Sequence, residues 1–335
     1  VSAHVLAVGE ALVDVVHRPD GTSEEHPGGS LANVALTLGR LGRDVRLATW
    51  LGTDERGDHV RAWLGESRVQ LAPGSDGAAR TSVAQATLDD TGAATYEFNL
   101  DWHVPHGATV GDDTLAVHTG SIAAMLAPGD AEALRLLTAA RGTATVTYDP
   151  NARPAIMGDA ATVRPRVEEI VALSDVVKVS DEDLAWLAPG TDPLDAARAW
   201  QRSGPAVVVV TFGGEGATAV TAAGEVTVKA PRVDVVDTVG AGDSFMGALL
   251  DWLWGADLLG AGRREALRAI DRAATARMLV RAVAVAAVTV SRAGANPPWP
   301  TDLVGPGRVR LAAAAAEGER EQTDPEQAPG QEDTP

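Results

Sequence analysis

The sequence predicts an α/β fold, with helices on both faces of a mainly parallel sheet and a small β-sheet lid beside it. Three observations carry this. Short β-branched runs alternate with amphipathic stretches along most of the chain. Strand followed by helix, repeated, is the pattern of a parallel sheet covered on both faces. Two segments break the rhythm with hairpin signals, and 45% of the 335 residues are hydrophobic, enough for a sizeable core.

Val5–Val8, Val45–Thr49, Leu115–His118, Thr145–Asp149, Val176–Val179 and Ala206–Thr211 read as strands. Leu31–Leu41, Asp130–Ala140, Val163–Leu173 and Asp192–Ser203 read as helices between them. The first hairpin is "LVDVVHRPDGTSEEHPGG", turning at Pro19-Asp20-Gly21. The second, "TSVAQATLDDTGAATYEFN", turns at Asp89-Asp90-Thr91-Gly92. Together they are expected to form one small sheet outside the main layer, either a lid or surface decoration. Residues 1–310 are read as a single domain, with lid segments at about 11–27 and 80–103. From residue 311 onward apolar periodicity stops, and seven carboxylates face one Arg. Such a segment cannot offset its ordering entropy, so 311–335 is expected to be a disordered acidic tail. No internal repeat is present.

"VVDTVGAGDSFMGALL" (residues 235–250) is the informative stretch. Val233–Val236 is expected as a strand and Ser244–Trp254 as an apolar-faced helix, which makes Gly240-Ala241-Gly242 a strand-to-helix turn. Small residues there bare the backbone N–H groups at a helix start, and bare N–H groups plus the helix dipole bind anions. The turn has no Lys of a G-x-x-x-x-G-K-[ST] loop and lacks the last glycine of G-x-G-x-x-G. Asp243 follows at once. A carboxylate beside an anion pocket repels the anion unless it is there to take a proton, which points to a general base next to electrostatic stabilisation. A favourable first-turn charge is the alternative reading.

Composition excludes several classes. With no Cys there is neither a disulfide nor a thiolate metal site. A formal net charge of −18 argues against nucleic acid and anionic membrane as partners. The apolar runs are read as too short for a membrane span, and "HVLAVGEALVDVV" is read as a strand rather than a targeting peptide. A cytoplasmic location is expected.

"DTVGAGDSF" resembles the C-terminal motif of the ribokinase-like (PfkB) carbohydrate kinases. "GGSLANVALTLGRLG" (28–42) is similar to their N-terminal glycine motif, "VTFGGEGA" (210–217) to their nucleotide-side loop and "SRAGANP" (291–297) to their C-terminal loop. The resemblance covers nearly the whole folded chain. It implies a ribokinase-like three-layer αβα sandwich and ATP-dependent phosphorylation of a sugar hydroxyl, with Mg²⁺ arriving on ATP. Asp243 would be the catalytic base, and Gly240, Ala241 and Gly242 the anion hole. Asp14, Gly28, Gly29, Asn33, Phe98, Trp102 and Arg153 would meet the sugar; Gly28 and Gly29 alone also fit a tight turn, and Arg153 a surface position. Lys178, Thr211, Gly213 and Gly216 would lie along the nucleotide. Asp183 would support Mg²⁺ indirectly, and Asp237 would hold a monovalent cation such as K⁺. Relatives often dimerise through the lid, so a homodimer of that kind is a further expectation.

"TYDPNARP" (147–154) is similar to the D-P-N-x-R element of the fructokinase and 2-keto-3-deoxygluconate kinase branch. Ser30 stands where ribokinases usually carry lysine, which counts against ribose. "SDED" (180–183) departs from the family's N-x-x-E element, and "YEFNLDW" lacks an Arg that would suit an acidic sugar. A neutral ketohexose, fructose above all, is therefore expected. 2-Keto-3-deoxygluconate kinase, ribokinase and nucleoside kinase are alternatives within the family, and a non-catalytic sugar-binding protein is the alternative outside it.

Overall fold

The computed structural model describes residues 2–89 and 94–303. The expected tail at 311–335, and residues 90–93 of the expected lid turn, lie outside them.

The chain runs β1 (His4–Val8), β2 (Leu12–His17), β3 (Ser23–Gly28), α1 (Ser30–Arg40), β4 (Val45–Ala48), α2 (Glu55–Glu66) and β5 (Gln70–Leu71). It continues with β6 (Val83–Leu88), β7 (Ala94–Asn99), β8 (Thr114–Gly120), α3 (Gly129–Ala140), β9 (Thr145–Asp149), α4 (Pro154–Met157), α5 (Ala160–Leu173) and β10 (Val176–Ser180). Then come α6 (Asp181–Leu187), α7 (Pro193–Ser203), β11 (Val207–Thr211), β12 (Ala217–Thr221), β13 (Gly224–Val228), α8 (Ala241–Gly255), α9 (Arg264–Arg268) and α10 (Arg272–Val290).

Among the described residues, nine strands form the main sheet in the order β13-β12-β11-β10-β9-β8-β1-β4-β5. From β5 to β11 the pairs are parallel, and β12 and β13 are added antiparallel. Helices cover both faces, so the central strands are apolar throughout rather than alternating. Val207, Val208, Val209 and Val210 are all fully buried. Helix starts follow the sequence chemistry. Asp54, Asp159, Asp192 and Asp271 each accept a first-turn N–H, and Ser180 with Asp183 forms a capping box at α6.

The two hairpins form one four-stranded sheet, as expected, in the order β3-β2-β6-β7. Asp14 on β2 stands opposite Ala84 on β6, and Ala84 opposite Phe98 on β7. Since side chains directly opposite share a face, these three form a row across the lid.

Two expectations are corrected. Val233–Val236 is a loop, not a strand: the Val236 N–H donates to the Val290 carbonyl at the end of α10 (2.8 Å), not to a neighbouring strand. Val235 and Val236 are left exposed. Also, α10 does reach the length and mean hydropathy of a membrane span (19 residues, 1.6). In the fold it packs against α8, β12 and β13 and buries Met278, Leu279, Ala282 and Val285.

Helices α1 and α8 pack closely because Gly247 faces Thr37. A Cβ at position 247 would lie 2.7 Å from Thr37 Cβ and Cγ2. One turn back on each helix stand Asn33 and Asp243, so this contact sets the register of the site.

Candidate active site

The starts of α1 and α8 meet at a cavity of about 540 Å³ between the main sheet and the lid. Gly240, the residue before α8, has φ +73°, a left-handed conformation open to glycine at little cost. The turn places the first residues of α8 on the cavity wall. Ala241 N–H donates to Thr238 O at 3.2 Å. Among the described residues, the N–H groups of Gly240, Gly242 and Asp243 have no acceptor. Of the expected set, Gly240 and Gly242 have open N–H groups and Ala241 N–H is used within the turn, while the N–H of Asp243 is open as well.

Asp243 is buried on the cavity wall, in the first turn of α8. Its Oδ1 accepts from Ser30 Oγ at 2.7 Å and from Asn151 Nδ2 at 3.3 Å, and its Oδ2 accepts from Asn33 Nδ2 at 2.8 Å. Asn151 Nδ2 also reaches Ser30 Oγ at 2.8 Å, closing the cradle. A carboxylate offers about four acceptor positions. With two donors on Oδ1 and one on Oδ2, the remaining position is on Oδ2. A carboxylate fixed in this way can accept a proton from a hydroxyl placed in the cavity, beside N–H groups that suit a transferring anion.

Asp14, Phe98 and Arg153 line the same cavity, with Gly29 and Asn33. Burial raises the Asp14 carboxyl, while His26 and Arg153 pull it down. Gly28 abuts it: a Cβ at 28 would lie 2.3 Å from Asp14 Oδ2. Arg153 is exposed and turned back on neutral oxygens, donating to Asn151 Oδ1 (2.7 Å), Asn151 O (3.2 Å) and Ala152 O (2.9 Å).

Other expected residues stand elsewhere. Trp102 is buried away from the cavity, packed on Gly129, with its indole N–H on Ala123 O at 3.0 Å. Lys178 is 3% exposed, lies against the Gly240–Gly242 turn and does not line the cavity. Its Nζ is 3.0 Å from Asp149 Oδ2 and would be 2.8 Å from a Cβ at Gly242. Burial opposes the Lys178 charge, but Asp149 and Asp183 outweigh it and raise its pKa. Burial likewise pushes Asp149 up to about 6 against the pull of Lys178.

Thr211 is the last residue of β11, and Gly213 and Gly216 lie in the loop after it, outside the cavity, where Phe212 N–H closes the loop on Gly216 O at 2.8 Å. Asp183 uses Oδ1 on Ala152 N–H (2.9 Å) and Oδ2 on Ser180 N–H (3.3 Å). Asp237 accepts from Val239 N–H (3.0 Å) and Gly294 N–H (2.8 Å), tying the anion turn to the C-terminal loop.

Sequence reasoning missed Glu10, Ser121, Asn151 and Tyr96, which also line the cavity. It noted Ser30 only for the lysine it replaces. Asn151 lay inside a quoted motif. Glu10 is a carboxylate between two apolar strands, and that was the available signal for it.

Comparison with known proteins agrees with this geometry. The model of the pfkB family of carbohydrate kinases matches residues 2–302. A fructokinase of Rhizobium leguminosarum bv. trifolii is 34% identical over 256 residues, covering 73% of this chain and 78% of that protein. A probable fructokinase-4 of Arabidopsis thaliana is 32% identical over 326 residues, covering 89% and 94%. The crystal structure of a Xylella fastidiosa fructokinase with bound ATP matches 97% of this chain and all of its own with a TM-score of 0.75, at 24% identity. An aminoimidazole riboside kinase of Salmonella enterica, complexed with aminoimidazole riboside and an ATP analogue, matches 92% and 99% with a TM-score of 0.71, at 27% identity. A family match over almost all described residues, a ribokinase-like αβα sandwich with its lid, and a cradled carboxylate at a glycine turn agree with one another: the chain belongs to the PfkB family of carbohydrate kinases and is a sugar kinase of its fructokinase branch.

Proposed function

We propose that this kinase transfers the γ-phosphoryl group of ATP to a hydroxyl of fructose or a closely related neutral ketohexose, with Asp243 as the base. The supporting observation is the Asp243 carboxylate, held by Ser30, Asn33 and Asn151 beside the open N–H groups of α8. The acceptor hydroxyl gives its proton to Asp243 Oδ2 as its oxygen bonds to the γ-phosphorus and the bond from that phosphorus to the β,γ-bridging oxygen breaks, releasing ADP. The N–H groups of Gly240, Gly242 and Asp243 take the growing charge on the phosphoryl oxygens. Fructokinases at 34% and 32% identity favour fructose.

Asp14 and Asn33 hold sugar hydroxyls. Asn33 Oδ1 is buried without a partner, which suits that role. Gly28 and Gly29 let the sugar approach the backbone. Phe98 covers the sugar from the lid, and Trp102 acts through packing alone. Arg153 can leave its neutral oxygens for a phosphate, and the Lys178 charge supports the turn. Thr211, Gly213 and Gly216 border the nucleotide.

No cluster of three or more His, Cys, Asp or Glu suited to a metal occurs among the described residues. This fits a Mg²⁺ ion held by nucleotide phosphates and water, with Asp183 touching it at most indirectly. Bound there, Mg²⁺ would neutralise phosphate charge. Asp237, already holding two N–H groups, remains the candidate for K⁺ contact. A cytoplasmic location and a lid-to-lid homodimer complete the proposal.

A riboside acceptor is the second reading. Tyr96 and Phe98 stack nearly parallel on the lid, with centroids 6.1 Å apart and planes at 3°, an aromatic face that suits a heterocyclic base better than a ketohexose.

ADP release with Mg²⁺-ATP and a panel of fructose, ribose, tagatose, 2-keto-3-deoxygluconate and adenosine tests both readings. Fructose-dependent turnover, lowered roughly 10²–10⁴-fold in Asp243→Asn, is expected. Turnover with adenosine alone would replace fructose by the second reading. Near-native turnover in Asp243→Asn would remove Asp243 from the role of base.

A further inference from the structure

Glu10 lies between β1 and β2 on the cavity wall, 6% exposed. Its Oε1 accepts the first N–H of α1, from Ser30, at 3.2 Å. Its Oε2 is buried with no hydrogen-bond partner among the described residues. Ser30 then turns its hydroxyl the other way, onto Asp243 Oδ1. One serine therefore joins two buried carboxylates, through its backbone on one side and its side chain on the other.

A structural task alone does not require this arrangement. Any neutral acceptor can take the first N–H of a helix. An ionisable group with an unsatisfied oxygen, buried near a second carboxylate, works against folding. Costly charge of that kind concentrates at functional sites. Asp243, from α8, is the charged group that acts on Glu10. The groups facing it from α1 and from the turn after β8 are the neutral Ser30 N–H and the Ser121 hydroxyl. Burial first, and then Asp243, push the Glu10 carboxyl up to about 7, while its own backbone N–H, Ser121 and Ser30 pull it down.

We propose that Glu10 is a positioning residue for Asp243: it fixes Ser30 through Oε1, and its negative charge strengthens the hold of Asp243 on the incoming hydroxyl proton. Taking that proton neutralises one member of a repelling pair, so the transfer is favoured while Glu10 is ionised. The inference rests on Asp243 being the base of a fructose kinase.

Glu10→Gln retains the shape and the acceptor for Ser30 but removes the charge. At pH 8 its kcat is expected to fall about 10–100-fold, because the repulsion that favours proton transfer to Asp243 is gone, with KM for fructose changed less than about 3-fold. Wild-type kcat is expected to rise between pH 6 and 8 as Glu10 ionises, and that rise should be absent in the variant. A wild-type pH profile in Glu10→Gln would overturn the proposal. Ser30→Ala leaves Glu10 in place and cuts the link. A kcat loss of about 10-fold or more is expected, and an unchanged kcat would overturn the linkage.

A third measurement needs no turnover. Glu10→Gln should raise Tm at pH 8, and the gain should be smaller by about 2–4 °C in an Asp243→Asn background, where the repelling charge is already gone. Equal gains would overturn the coupling. If the wild-type protein shows no fructose-dependent turnover, the fructose reading fails, while this cycle still decides whether the two carboxylates are coupled.

Discussion

Asn33 on α1 donates to Asp243 on α8 across 2.8 Å, joining two helices that are 210 residues apart in sequence. The bond fixes Oδ2, the oxygen with an acceptor position left for the substrate hydroxyl. Asn33 also keeps its own Oδ1 buried and unpartnered beside the cavity. Asn33→Ala should therefore lower both the rate and the apparent sugar affinity, with kcat/KM for fructose falling about 10²-fold. Steady-state kinetics checks this, and a change confined to the KM for ATP would contradict it.

The same helix pair is sensitive one turn further on. Gly247→Ala gains about 1 kcal/mol of helix propensity. It also drives a methyl to 2.7 Å from Thr37 Cβ and Cγ2, closer than packed carbons tolerate. Overpacking of this kind costs about 1–3 kcal/mol, so the steric effect should win. A lower Tm is expected, with a lower kcat because Asn33 and Asp243 move apart. Thermal unfolding and kinetics of the variant measure both.

Lys178 and Asp149 separate structure from catalysis. Lys178→Met strands a buried carboxylate and should destabilise the fold by about 3–5 kcal/mol. Adding Asp149→Asn should restore much of that loss, because the carboxylate in direct contact with position 178 is no longer charged. Activity should stay low in the double variant, since the positive charge against the anion turn is still missing. Denaturant unfolding and turnover of the three proteins give the test. Full recovery of activity would assign the pair to structure alone.

The Glu10 contribution to stability should fall as pH rises from 5 to 8, against a gain from His118, whose imidazole is held neutral by burial in the fold. Burial raises the Glu10 carboxyl from 4.5 to about 7 in the folded protein. Below about 4.5 both states hold the proton and the contribution is complete. Above it the unfolded chain releases the proton first, and stability is lost until the folded carboxyl titrates near 7. A shift of this size corresponds to on the order of 3 kcal/mol. Asp149, raised to about 6, adds a loss of the same sign at lower pH. In Glu10→Gln, Tm at pH 8 relative to pH 5 should be visibly higher than in the wild type.

Local pattern accounts for what the sequence made legible. β9 starts and ends where its β-branched run does, and both hairpins joined one sheet, because each feature is written in a few neighbouring residues. The turn at Gly240–Asp243 was readable for the same reason, although α8 begins at Ala241, earlier than the expected Ser244. α2 escaped notice because only Gly57, Val60 and Leu64 are buried along its 12 residues, too few to set a period. Val233–Val236 misled because β-branched residues favour extended chain whether or not a strand edge is at hand. The cradle of Asp243 was not legible: Ser30 and Asn151 reach it only through the order in which the strands stack.

The acceptor position left on Asp243 Oδ2 bears on the product as well as the rate. A ketohexose carries anomeric, primary and secondary hydroxyls, and their intrinsic differences do not alone restrict phosphorylation to one of them. A carboxylate gripped from three sides can take a proton along one direction only. The reaction should therefore be regioselective through where the base is open, and one hydroxyl should yield one monophosphate. Loosening the grip would show up first as a mixture of positional isomers.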